Sequence, residues 1–283
     1  MDGLEHSQIL TSNYPYWRYS LEYALDSLER IGCGDIELYG VYPHFHLDDV
    51  NYADVKTLAR QLSRHGLKAR AFTPEQCLYP VNIASRDPAA RLRSLEIFRK
   101  SVLYGSELGA DTVVVLAGYA TLDEPEEHAW QRSCESLYDL SKLAESCGVT
   151  LVLETSPREY TVTHDSRDVV RLIKEVGSAA LSGMIDTATL GFSGETMTQA
   201  IRDLEGHLDH VHFADGIPNG HLIPGEGNLD LRSMLQDLSK AGYSRAISLE
   251  VLNDRYVRDP HHAMKTSYDK LKEYISEAAA LQN

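Results

Sequence analysis

The sequence predicts a single (β/α)₈ barrel over residues 1–283. Three observations carry this reading. Short apolar runs alternate with longer helical patterns, as βα units require. Eight such runs occur, the number that closes a barrel. The chain has 283 residues, and the fold needs about 250. An open doubly wound sheet would instead want a G-x-G-x-x-G turn after an early strand. No such turn is present, and Gly225-Glu226-Gly227 comes late and lacks the third glycine.

The elements follow in order. Gln8 to Ser12 reads as the first strand, and Trp17 to Ile31 as its helix, stopped by Gly32. Asp35 to Tyr39 is the second strand. The helix from Val50 to His65 ends at Gly66, as a C-cap glycine would end it. Leu67 to Phe72 is the third strand, and Thr73 to Ser85 a loop. Asp87-Pro88 opens a helix that runs to Leu108, with proline in the first turn where its missing N–H costs nothing. Ala110 to Leu116 is continuous and β-branched, as a parallel strand covered on both faces should be.

Glu124 to Cys147 is a long helix, and Val149 to Glu154 the fifth strand. A helix over Asp165 to Val176 leads to the sixth strand, Leu181 to Asp186. One helix, Glu195 to His207, is expected before the seventh strand, His210 to Ala214. Leu229 to Ala241, the strand Ala246 to Val251 and a closing helix from Ala263 to Ala280 complete the series.

The formal net charge is −15. Such a surface repels a phosphate backbone, which needs Lys and Arg to neutralise it, so a nucleic-acid partner is disfavoured. No window approaches the roughly 20 apolar residues of a membrane helix, and the first residues carry no secretory pattern. A cytoplasmic protein is expected. Cys33, Cys77, Cys134 and Cys147 form no C-x-x-C pair and match no zinc spacing. Reduced thiols are expected.

The later strands end in chemistry. Glu154 closes the fifth, Asp186 the sixth, and His212 and Glu250 lie on the seventh and eighth, each about one βα repeat apart. A barrel brings such residues to its C-terminal rim, where active sites of this fold sit. A carboxylate ending an apolar run is expensive to bury unless a positive group pairs with it. One divalent ion resolves the crowding. Oxygen and nitrogen ligands without thiolate suit Mn²⁺, Mg²⁺ or Co²⁺ better than a structural zinc. Taken singly, each acid also reads as a loop cap or ion-pair partner. His210 shares the parity of His212 on its strand, and reads as support or packing inside the barrel.

The motifs IELYGVYPH, FTPEQCLYPVN, LVLET, MIDTA, HVHFADG, HLIPGEG and ISLEV carry a resemblance over nearly the whole chain. It resembles the xylose-isomerase-like barrel superfamily, and within it the sugar 3-epimerases of the fructoselysine type. The resemblance implies that Glu154, Asp186, His212 and Glu250 bind one divalent metal, Mn²⁺ first, with Mg²⁺, Co²⁺, Ni²⁺ or Zn²⁺ as alternatives. It implies that Glu154 and Glu250 are the acid/base pair that exchanges the C3 proton of a ketose or ketosamine through an enediolate. A small-molecule sugar substrate and a homo-oligomer, dimer or tetramer, are implied with it.

The resemblance also has departures. Psicose and tagatose 3-epimerases carry a histidine where this chain has Thr189 and an arginine where it has Pro218. Both contact substrate in those relatives, so free ketohexoses are less expected than a fructoselysine-type substrate. The family's further loop glutamate falls at Tyr160, beside Glu159. Glu37, His44, Glu75, Glu159, Thr189, Asp215, His221 and Glu226 are the candidate substrate contacts. Asp215 reads equally as a loop cap and Glu226 as a turn residue. Tyr119, Trp130 and Tyr256 read as packing or interface residues.

Three competing readings stay open. A lyase or dehydratase acting on a keto-sugar or inosose would share the metal and the first proton abstraction. A non-catalytic sugar- or metal-binding barrel would not need both glutamates. An abasic-site endonuclease of the same fold would need more histidines and a basic face.

Overall fold

The computed structural model describes residues 3–76, 81–156, 160–204, 206–216 and 220–280. Eight parallel strands close in sequence order into a barrel, the last pairing with the first. They are β1 (Ile9–Ser12), β2 (Asp35–Gly40), β3 (Lys68–Pro74), β4 (Thr112–Val115), β5 (Thr150–Leu153), β6 (Leu181–Asp186), β7 (Leu208–Phe213) and β8 (Ala246–Leu249). The helices are α1 (Leu21–Ile31), α2 (Tyr52–Arg64), α3 (Pro88–Leu108), α4 (Glu126–Cys147), α5 (Ser166–Val176), α6 (Thr187–Ser193), α7 (Met197–Asp203), α8 (Leu231–Lys240) and α9 (Pro260–Ala280). Among the described residues no helix is long and apolar enough to cross a membrane.

Local chemistry sets these boundaries. Asp165 starts α5 by accepting the N–H groups of Arg167 and Asp168, the usual remedy for orphan donors at a helix start. Asp87 caps α3 in the same way, with Pro88 in the first turn. The helix expected over 195–207 is present in shortened form as α7, and the correction is a further short helix, α6, ahead of it. Two short helices, α6 and α7, stand between β6 and β7. The strand-ending Asp186 is itself the N-cap of α6, accepting from Ala188 N at 2.8 Å.

Two of the apolar regions among the described residues pack against the strands of the barrel. The larger lies between strands and helices and includes Leu38, Phe72, Val113, Leu151, Val211 and Leu249 against Leu28, Leu58, Phe98, Leu140 and Leu235. Inside the barrel, Val114, Val152 and Met184 form a small apolar plug from three adjacent strands. The opposite side of the interior is polar. Glu37 on β2 meets His210 and His212 on β7, and since these strands are not neighbours the contact crosses the interior.

Register prepares this arrangement. Gly183 pairs with Leu208 but Met184 with His210, so Asp209 is the extra residue of a bulge. The bulge puts His210 and His212 level with Met184 and Asp186, all facing inward. At the other end of the barrel, a cavity of about 470 Å³ is lined by Arg70, Asp111, Asp209 and Arg245. Its arginines are already paired, Arg245 with Asp209 at 3.0 Å and Arg70 with Asp35 at 3.2 Å. In this fold that end serves stability and the C-terminal rim serves chemistry.

Candidate active site

Glu154 follows β5, Asp186 ends β6, His212 lies on β7 and Glu250 follows β8. The strand ladders carry the two glutamates onward: Glu154 N donates to Val115 O and Glu250 N to Phe213 O. All four side chains converge at one end of the barrel and are nearly closed to solvent, at 7% for Glu154, 1% for Asp186, 0% for His212 and 6% for Glu250.

Glu250 joins them. Its Oε2 lies 3.1 Å from His212 Nδ1 and 3.1 Å from His221 Nε2. His212 Nδ1 is 3.4 Å from Glu154 Oε1, and His221 Nε2 is 3.1 Å from Asp186 Oδ2. The structure thus brings together the four expected ligands and adds His221 from the loop after β7. His221 adopts a left-handed backbone with φ of 42°, an uncommon state for a residue other than glycine. Its Nε2 donates to Asp186 Oδ2.

Burial and mutual charge set the protonation preferences. Burial raises the Glu154 carboxyl to about 7. Burial also raises Glu250, but the His212 and His221 imidazoles overcome it and hold Glu250 well below the usual carboxylate range. Burial pushes both histidines down, while for His212 the Glu250 and Glu37 carboxylates, and for His221 those of Glu250 and Asp186, hold the imidazole well above its usual value. Two carboxylates pushed apart in this way suit opposite roles in proton transfer.

The donor set also fits a divalent cation. His212 Nδ1 and Glu250 Oε2 are buried and have no hydrogen-bond partner, although they face each other. Such atoms call for an explanation in a native structure, and a positive ion between them would satisfy both. Glu154, His212 and Glu250 form one such group, and Asp186, His221 and Glu250 a second that shares Glu250, with ligand atoms within 4.8 Å of one another in each.

The other candidate contacts take the following places. Glu37 is wholly buried beneath the rim. Its oxygens accept from His212 Nε2 at 2.9 Å, from His210 Nε2 at 3.0 Å and from the Thr73 hydroxyl, so both are taken by neighbouring side chains. His44 is held between Asn13 Nδ2 at 2.9 Å and the Tyr19 carbonyl at 3.1 Å, which fills both ring nitrogens. Burial pushes its imidazole down. Glu75 is exposed beyond β3.

Asp215 is the loop cap. It accepts the N–H groups of Gly216, Gly225 and Leu229 at 2.8, 2.8 and 3.0 Å. Glu226 accepts from the Tyr256 hydroxyl at 2.6 Å and serves the turn. Thr189 donates to the Asp186 carbonyl at 3.1 Å and lies 3.4 Å from the Thr155 hydroxyl. Glu159 and Pro218 lie outside the described residues. Trp130 is buried against Glu175, to which its Nε1 donates at 2.6 Å.

Sequence reasoning missed Tyr39. Its hydroxyl donates to Glu250 Oε1 at 3.0 Å. The signal was present, since Tyr39 lies two residues after Glu37 on one strand and shares its inward parity. Asn13 was missed too. Its Oδ1 accepts from Tyr39 N at 2.7 Å and its Nδ2 donates to Tyr39 O at 3.1 Å, fixing the backbone that presents the tyrosine.

A family model described as the xylose isomerase-like TIM barrel matches residues 25–274. The chain belongs to this family. It is 26% identical to a fructoselysine 3-epimerase of Shigella flexneri over 92% of this chain and 95% of that protein. It is 28% identical to an L-ribulose 3-epimerase of Mesorhizobium japonicum over 66% of this chain and 63% of that protein. Among solved structures, an L-ribulose 3-epimerase superposes with a TM-score of 0.82 at 21% identity, covering 100% of this chain and 97% of its own. A 3-keto-D-glucoside 4-epimerase from E. coli gives 0.79 at 20% identity, covering 94% and 99%. These relatives are carbohydrate epimerases, and the likeness to the solved structures is one of fold.

Proposed function

We propose that this chain is a divalent-metal-dependent 3-epimerase of a ketose or ketosamine, of the fructoselysine/psicoselysine type. The observation that carries this reading is the pair Glu154 and Glu250, both within reach of His212 Nδ1, at 3.4 and 3.1 Å. One carboxylate takes the C3 proton from one face of the sugar, and the other returns a proton to the opposite face. The roles exchange when the other epimer binds. Positioned acid/base groups of this kind contribute about 10²–10⁴-fold.

Glu154, Asp186, His212 and Glu250 would hold the ion, Mn²⁺ first. When bound, it supplies Lewis-acid stabilisation of the negative charge that develops on the sugar. Tyr39 holds Glu250 Oε1 by its hydroxyl hydrogen, which turns Oε2 toward the centre. Burial of all these groups excludes water from the exchanging proton. Thr189 has its hydroxyl on the Asp186 carbonyl and offers substrate no imidazole, which supports a substrate other than a free ketohexose.

Proton NMR in D₂O tests the reading. Incubation with fructoselysine and Mn²⁺ should exchange the C3 proton for deuterium and yield the C3 epimer. Release of a β-substituent would make the enzyme a lyase, and absence of C3 exchange with any ketose or ketosamine would end the proposal.

A further inference from the structure

The polar layer beneath the rim has its own logic. Glu37 has no exposed surface and three donors on two oxygens: His212 Nε2 and the Thr73 hydroxyl on Oε1, and His210 Nε2 on Oε2. A metal-ligating imidazole is neutral, and a neutral imidazole that donates from Nε2 carries its lone pair on Nδ1. His212 Nδ1 is buried, has no hydrogen-bond partner, and faces Glu250 Oε2 at 3.1 Å and Glu154 Oε1 at 3.4 Å. Without a cation this nitrogen is a place for a proton between two carboxylates; a divalent ion displaces that proton and takes the freed lone pair as a ligand.

We propose that Glu37 is a positioning residue for the metal centre: by accepting the Nε2 hydrogen of His212, it fixes the tautomer that turns Nδ1 toward an ion shared with Glu154 and Glu250. This rests on the metal reading above. His210 is the brace. It takes the second oxygen of Glu37, and its own Nδ1 is buried with no partner. With Thr73 it keeps the carboxylate from rotating away. The H-x-H spacing on β7 follows, because residues two apart on a strand face the same side and one carboxylate across the barrel reaches both.

The test is a double-mutant cycle on Mn²⁺ affinity, by calorimetry on wild type, Glu37→Gln, His212→Asn and the double variant. Glu37→Gln should weaken binding about 10–100-fold, as loss of a ligand's supporting partner does. In the His212→Asn background it should weaken binding no further, since groups acting as a unit are not additive. Additive losses, or Glu37→Gln binding as tightly as wild type, overturn the inference. A second measurement needs no variant. Long-range ¹H–¹⁵N spectra of the Mg²⁺-loaded wild type should place the His212 proton on Nε2, and a proton on Nδ1 overturns the inference. Wild type that takes up no divalent ion overturns the metal reading itself. A failed C3 exchange with an intact cycle overturns only the epimerase reading.

Discussion

Tyr39 on β2 donates its hydroxyl hydrogen to Glu250 at the end of β8, 3.0 Å away. Burial, and then the Glu250 and Glu37 carboxylates, keep this phenol well above its ordinary value, so it stays a donor at any working pH. Tyr39→Phe keeps the ring, which packs edge-on to Tyr14 at 5.0 Å, and removes only the hydrogen bond. A hydrogen bond to a charged group contributes about 1.5–3 kcal/mol. We expect kcat to fall roughly 10–100-fold, since each 1.4 kcal/mol is about tenfold, while the circular-dichroism spectrum is unchanged. Unaltered kcat would reduce Tyr39 to packing.

The two glutamates should fail asymmetrically. If each serves one face of the sugar, Glu154→Gln at saturating Mn²⁺ loses C3 exchange from one epimer and Glu250→Gln from the other, each by about 10²–10⁴-fold. Deuterium washout measured separately from each epimer reads this directly. Equal loss from both epimers in both variants would leave the glutamates as metal ligands only.

Protonation links the site to stability. Glu154 at about 7 lies above its ordinary 4.5, so the folded state binds more protons there and stability falls as pH rises from 4.5 through 7. His212 and His221 are held above 6.5. Their contribution is complete below 6.5 and is lost as pH rises through the folded values. Glu37 and Glu250 are held below 4.5, so theirs is complete above 4.5 and is lost as pH falls. In chelator the melting temperature should therefore peak between these ranges. Ligands must be deprotonated to bind, so Mn²⁺ should raise the melting temperature more at pH 8 than at pH 6. At 100 times Kd the gain is about 2.7 kcal/mol. A gain independent of pH would argue against these ligands.

The sequence reading located the strands that carry the site, with β6 matching to the residue at Leu181–Asp186. This follows from period and terminus. Apolar runs end in acids, and the barrel brings those ends together. Depth was harder to read. Glu37 has the right parity but lies one layer below Tyr39, and only the extent of β2 to Gly40 shows which of the two reaches the rim. The helix α6 was hidden because Thr187–Ser193 contains glycine and β-branched threonines, which are poor helix formers. Its start depends on Asp186, whose cap and site roles use different oxygens. His44 follows β2, and its pairing with Asn13 on the β1–α1 loop and with the Tyr19 carbonyl shows in no spacing of the sequence.

The loop that brings His221 to Glu250 depends on Asp215. Three backbone N–H groups converge on this buried carboxylate, and Asp215 also pairs through its backbone with Leu222, Asp215 N donating to Leu222 O at 2.9 Å. Gly227 packs so closely on the Asp215 carboxylate and the Gly216 N–H that an added Cβ would clash with both. Asp215→Ala leaves the three donors without their acceptor, and we expect a loss of about 2–4 kcal/mol in urea unfolding on the usual worth of such bonds. Gly227→Ala should act on the same loop by displacing the carboxylate. In both variants His221 loses its fixed approach to Asp186, so KM for the sugar should rise more than Mn²⁺ affinity falls, because Glu154, His212 and Glu250 remain on their strands. Paired kinetics and calorimetry separate the two. An equal loss in both quantities would instead make His221 a ligand of the ion.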